Sequence, residues 1–289
     1  MKNLKYPFMV LLGGAMYGTM SSFVKMSYTL GYSAAEVSFA QALLSALFLG
    51  CIPRKTPLTG NAWLSLLLTG SAIGLANFLY YQSVSYISAS LAIVILMQFT
   101  WFSLLLEWLI FRQRAGKPEL ITVFFILSGT IMAGDLLHEG ALAISWQGIV
   151  LSLAAALAYA GYIVANSRIG KGVNWQTKSV LIMAGSALTI FVINAGTIAA
   201  HHHFDATFLL WALFFAIVGT TIPTALFAVG IPKIGAGTSA ILMTIEFPVA
   251  VLCAHFLLHE RITPVQIAGI IIMLTAISAM NYFKSKKTN

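Results

Sequence analysis

Apolar residues run along this chain in blocks of about twenty, separated by short polar connectors. The blocks extend approximately over Pro7 to Ser27, Ala34 to Ile52, Ala62 to Ser83, Ser88 to Phe111, Pro118 to Leu136, Ser145 to Asn166, Gln176 to Ala199, Ala206 to Gly230, Ala236 to Leu258 and Pro264 to Phe283. A helix needs about 20 apolar residues to cross roughly 30 Å of hydrocarbon, where only helices and closed barrels satisfy every backbone group. The pattern therefore predicts an all-α membrane protein with ten transmembrane helices, with the lipid bilayer as its surroundings. Connectors such as Gly31-Tyr32-Ser33 and Lys233-Ile234-Gly235 are short, so consecutive helices are expected as antiparallel neighbours. Pro7, Pro118 and Pro264 stand in first turns, where a helix tolerates proline best. The first block is as long as a full span and reads as a helix, not as a cleavable signal.

The chain repeats itself weakly at half its length. A shift of 147 sets Ile87-Ser88-Ala89-Ser90 over Ile234-Gly235-Ala236-Gly237 and Arg114 over Arg261; a shift of 142 sets Tyr17 over Tyr159. Two five-helix repeats are expected, over residues 1–142 and 143–289. Each has an odd number of helices, so the second enters the membrane inverted, an arrangement that transporters use to hold substrate near the midplane.

Composition agrees with the pattern: 59% of residues are hydrophobic and 8% charged, against about a quarter charged in soluble domains. The net charge of +8 does not indicate nucleic acid, because the basic residues are scattered between apolar runs rather than gathered on one face. They report topology instead. With the N-terminus inside, Lys2, Lys5, Arg54, Lys55, Arg112, Arg114, Lys117, Arg168, Lys171, Lys178, Lys233, Lys284, Lys286 and Lys287 are cytoplasmic, 14 of the 16 basic residues. Lys25 and Arg261 fall outside, as do Asp135, Glu139, Asp205 and Glu260. Both termini are then cytoplasmic, and the plasma membrane of a bacterial-type cell is the expected location. Cys51 and Cys253 fall near opposite membrane faces, so no disulfide is expected.

The stretch Ala236-Gly237-Thr238-Ser239-Ala240-Ile241-Leu242-Met243-Thr244-Ile245-Glu246-Phe247-Pro248, running on to Leu257-Leu258-His259-Glu260-Arg261-Ile262-Thr263 and a further apolar helix, is a recognisable combination. In it, and in its organisation throughout, the chain resembles the drug/metabolite transporter superfamily, in particular its ten-helix EamA-type members. The first repeat departs from the closing pattern: Gln113 replaces the glutamate, and Trp101 stands where Pro248 falls. The resemblance implies transport of a small metabolite such as an amino acid, nucleoside or vitamin, with a tilt toward export.

Ionisable groups inside an apolar block are costly, and therefore informative. Glu246 lies about ten residues into its block, two places before Pro248, which frees a carbonyl one turn earlier. Such a carboxyl can bind a substrate ammonium or exchange a coupling proton; packing glue between helices is the plainer alternative. Gln98 lies at the corresponding depth in the fourth helix, one step out of register, with Trp101 one turn on; hydrogen bonding and stacking onto substrate are expected of them. Tyr17 and Tyr159 are close to mid-depth, while Asn77 and Tyr81 share a helix face and suit an outer gate. Tyr80 reads as part of an interfacial aromatic belt. Ser22, Asn166 and Asn194 are weaker candidates for cavity polar groups. Two ion pairs are expected, Glu107 with Arg112 or Arg114 at the cytoplasmic end and Lys25 with Glu36 at the outer end. Close helix crossings are expected at Gly14-xxx-Gly18 and Gly70-xxx-Gly74, and a kink at Pro223 beside Thr220 and Thr221. His255 with His259, and His201-His202-His203, lack a properly placed third ligand, so no metal or other cofactor is expected.

A phosphate-binding Gly-x-x-x-x-Gly-Lys-Ser/Thr loop is missing, as are His-Glu-x-x-His and Gly-x-Ser-x-Gly. The reading is a secondary transporter for an amino acid-like, amphipathic or cationic small molecule, whose halves rock around Glu246, Gln98, Trp101, Tyr17 and Tyr159. The competing readings are a scaffold or receptor that transports nothing, separable by a dry packed centre, and a membrane-embedded enzyme, for which the constellation is missing.

Overall fold

The computed structural model describes residues 4–52, 62–87, 89–133, 145–170, 172–200, 203, 205–259 and 262–287. Lys2, Arg54, Lys55, Ser88, Asp135, Glu139, Lys171, His201, His202, Glu260 and Arg261 lie outside the described residues, as does the boundary expected at 142. The described residues form helices and no strand. In chain order these are α1 (Lys5–Thr29), α2 (Ala34–Gly50), α3 (Ala62–Val84), α4 (Ala89–Leu96), α5 (Phe99–Phe111), α6 (Lys117–Ala133), α7 (Trp146–Arg168), α8 (Trp175–Ala200), α9 (Ala206–Ala216), a π turn (Ile217–Thr221), α10 (Ile222–Ile234), α11 (Ala236–Met243), α12 (Glu246–Leu258) and α13 (Pro264–Lys287).

Among the described residues, seven rods are long and apolar enough to cross a membrane: α1, α3, Leu91–Phe111, α7, α8, Ala206–Ile234 and Ala236–Leu258. Ala34–Gly50 and Pro264–Met280 are apolar but shorter. Leu68, Phe124, Val192 and Phe256 point outward and are between 62% and 71% exposed, a surface that water solvates poorly and hydrocarbon accommodates. The chain is an integral, multi-pass membrane protein. Buried hydroxyls mostly bond carbonyls of their own helix, as Ser38 does to Ala34 (2.6 Å) and Thr130 to Ile126 (2.6 Å), which satisfies them where water is scarce.

The fourth and ninth blocks are each two helices in register. At a shift of 147, α4 maps onto α11, the break at Met97–Gln98 onto Thr244–Ile245, and α5 onto α12. Both rods end in a left-handed residue, Arg112 (φ 57°) and His259 (φ 55°), again 147 apart. Both breaks close with i to i−3 bonds, Gln98 N–H to Ile95 O (3.1 Å) and Ile245 N–H to Leu242 O (3.3 Å), the tighter winding found where helices hinge. Near Pro223 the irregularity is the π turn just before it, where the Thr220 hydroxyl bonds the Phe215 carbonyl at 3.1 Å.

Neighbours in sequence are not the chief neighbours in space, contrary to expectation. Each helix packs mainly against the opposite half: α1 on α10 and α12, α7 on α3 and α5, α2 and α3 on α8, and α6 on α13. Exchanging the halves preserves this set, since α1 with α10 and α12 becomes α7 with α3 and α5. The reason is steric. A Cβ on Gly70 would strike the Ile182 carbonyl and one on Gly185 the Leu67 carbonyl, so α3 and α8 touch backbone to backbone; Gly18 meets the Glu246 carbonyl in the same way. Dispersion between closely apposed backbones drives such contacts in lipid.

Direction follows from the same contacts. Tyr28 near the end of α1 bonds the Tyr81 carbonyl near the end of α3 (3.0 Å), and Gly148 at the start of α7 meets Tyr86 and Ile87. These mark one end of the bundle. At the other end Gly230 near the close of α10 meets Tyr6 and Val10, and Arg168 closes α7. Hence α4 starts at the Tyr86 end and α11 at the Arg168 end.

Candidate functional site

Glu246 opens α12 directly after the break, and is buried at 5% exposure. It borders a cavity of about 30 Å³, shared with Tyr17, Asn77, Tyr80, Tyr81 and Tyr159, room for about two water molecules. Met20, Ser21, Ala76, Leu96 and Gly219 complete the wall. The Tyr159 hydroxyl donates to Glu246 Oε2 at 3.4 Å, a long bond. Tyr159 lies 6.3 Å from the Tyr17 ring and 4.7 Å from Phe99; Tyr17 packs edge-on against Phe227 at 5.4 Å. The Tyr81 hydroxyl reaches Gln41 Oε1 at 3.4 Å. A carboxylate ringed by four phenols combines a point charge, hydroxyl donors and aromatic faces that attract cations.

The structure thus brings Glu246, Tyr17, Tyr159, Asn77 and Tyr81 together. It does not bring Gln98 and Trp101 to them. The Trp101 indole is 37% exposed, and its Nε1–H donates to Gln98 Oε1 at 2.7 Å. The repeat explains this: Glu246 maps onto Phe99, not Gln98, and one residue turns a side chain by about 100° around a helix. Phe99 accordingly holds the equivalent position, with its ring against Tyr159. Tyr80, expected in a surface belt, is buried in the cavity wall. Gln41 and Ser21 escaped notice because isolated polar residues in apolar blocks show no periodicity of their own. Among the weaker candidates, Asn166 donates to the Tyr162 hydroxyl (3.1 Å) and Asn194 to the Ile190 carbonyl (3.1 Å), while Ser22 is buried; none of them borders the cavity.

The ion pairs also change partners. Glu107 pairs with Arg168 at 2.7 Å, across from α5 to α7, and not with Arg112, whose left-handed backbone ends α5 and turns the chain away. Glu36 forms a capping box with Ser33, and its other oxygen accepts from His203 N–H (3.2 Å) and Nδ1 (2.8 Å). Both oxygens are thereby engaged on groups other than Lys25. Lys178, counted among loop cations, is buried, and its ammonium donates to the Asn166 and Ile169 carbonyls at 2.6 and 3.1 Å. Cys51 and Cys253 are free thiols.

Sequence comparison agrees with this architecture. The chain matches the EamA-like transporter family over residues 4–134 and 146–282, two successive copies, and belongs to that family. It is 25% identical over 229 residues to the uncharacterized transporter sll1319 of Synechocystis sp., covering 73% of this chain and 65% of that protein, so it spans less than two thirds of that relative's length. A crystal structure of a protein at 12% identity superposes with a TM-score of 0.69, covering 98% of this chain and 97% of the other; at that identity the likeness shows the fold.

Proposed function

We propose that this protein is a secondary transporter of ten spans that carries a small amine-bearing or amphipathic metabolite outward by alternating access, with Glu246 as both substrate anchor and proton exchanger. The observation that carries the reading is the buried Glu246 carboxylate opening into a cavity ringed by Tyr17, Tyr80, Tyr81 and Tyr159. A buried carboxylate is expensive, and a substrate ammonium or a proton compensates it in turn. A scaffold has no use for an acid there.

The end of the bundle that carries Lys5, Arg112, Arg114, Lys117, Arg168 and Lys233 is taken as cytoplasmic by the positive-inside rule. The halves interlace, so the motion is assigned to the short broken helices α4 and α11 and their neighbours rather than to whole halves rocking. Purified protein in liposomes is expected to move amine-bearing metabolites, with a rate that depends on the proton gradient. Glu246→Gln is expected to abolish that dependence; pH-dependent flux that persists in this variant removes Glu246 from the mechanism.

A further inference from the structure

The two short helices that correspond in the repeat, α4 and α11, are tethered differently. At the Tyr86 end, α4 is held to α7 by a neutral bond, Ser152 hydroxyl to Ala92 carbonyl at 2.6 Å. At the Arg168 end, the first turn of α11 is held by charge: the Gly237 N–H donates to Glu107 Oε2 at 3.1 Å, and Glu107 Oε1 accepts from Arg168 Nη2 at 2.7 Å. The guanidinium also donates to Gln113 Oε1 and sits 4.8 Å over the Phe111 ring. Three helices, α5, α7 and α11, meet in these two residues. The repeat supplies no counterpart, because the position equivalent to Glu107 is Ala254.

Two further features make the tether consequential. A polar cavity of about 310 Å³ borders it, lined by Glu107, Gln113, Arg114, Glu119 and Thr238. At its other end α11 joins α12 through the Thr244–Ile245 break, where Thr244 and Ile245 N–H make long bonds of 3.3 Å and Pro248 offers no N–H. A helix of eight residues, clamped at its start and held by long bonds at its end, is a lever with a hinge.

We infer that Glu107 and Arg168 form an ionic latch that keeps α11 closed over the path between this polar vestibule and the cavity at Glu246. When the latch parts, α11 tilts about the Thr244–Ile245 break and opens the cavity toward the Arg168 face. The importance of the latch for transport rests on the function proposed above, but its state is readable without transport.

The test is thiol labelling in membrane vesicles of defined orientation. Ser21→Cys places a reporter in the cavity wall on a Cys51→Ser, Cys253→Ser background, and a membrane-impermeant maleimide is applied from one face at a time. Glu107→Gln and Arg168→Gln are each expected to raise the labelling rate from the Arg168 face at least about fivefold, the coupling of a switch element. With the latch intact, about 1 M salt should raise the same rate, since this partly exposed pair is screened; this arm needs no latch variant to fold. Unchanged rates in both single variants and in salt overturn the latch. A working latch with no measurable flux in liposomes overturns the transport reading instead.

Discussion

Phe99 and Glu246 hold the same position in the two repeats, 147 places apart, each the first residue of a thirteen-residue helix that follows a break. Tyr159 touches both, with its ring 4.7 Å from Phe99 and its hydroxyl 3.4 Å from the Glu246 carboxylate. Symmetric backbone thus carries an asymmetric site: one repeat supplies a packing surface and the other the charge. A substrate seated against Glu246 would meet an acid from one side only.

Tyr159→Phe tests the bond between these positions. The variant retains the ring packing and loses one donor to Glu246, a loss of about 1 kcal/mol or less for a bond this long. It is expected to fold normally and to raise KM for an amine substrate several-fold in liposome flux. An unchanged KM would take the Tyr159 hydroxyl out of the site.

Trp101 supplies the opposite expectation. Its indole lies on the exposed side of α5, bonded to Gln98, so Trp101→Phe should leave flux within about twofold of the parent, while Tyr17→Ala, stripping the cavity wall, should lower it strongly. Equal losses in the two variants would show that substrate reaches the α5 outer face.

Glycines give a paired stability test. Gly70→Ala directs a methyl into the Ile182 carbonyl, and overpacking there should cost about 1–3 kcal/mol or more. Gly161 meets nothing within 4 Å in the same geometry, so Gly161→Ala should be neutral or stabilise α7 by up to about 1 kcal/mol. Thermal unfolding in detergent separates the two by the direction of the shift in Tm.

Lys178→Met removes the ammonium that closes the last carbonyls of α7 and leaves Asn166 and Ile169 oxygens without that donor. Hydrogen bonds to charged groups contribute about 1.5–3 kcal/mol, so a lowered Tm is expected. An unaltered Tm would mean that water replaces the ammonium at no cost.

The apolar blocks, the repeat and Glu246 were legible in the sequence because hydrocarbon imposes a length on every helix and a penalty on every buried charge. Gly70-xxx-Gly74 likewise declared a close crossing, since few other pressures place small residues at that spacing. The partners were not legible. Glu107 had nearby arginines in sequence, yet the cation it meets is Arg168, 61 residues away. Gln98 was assigned to the cavity because its depth is right, and depth says nothing about azimuth: the helix break and the one-residue offset decided that Phe99 takes the place equivalent to Glu246, against Tyr159. Sequence therefore determined that this chain lives in a bilayer and where its costly acid lies along a helix. Only the tertiary structure decided which side chains surround that acid, because helices in lipid choose neighbours by backbone fit across the whole bundle and not by adjacency in the chain.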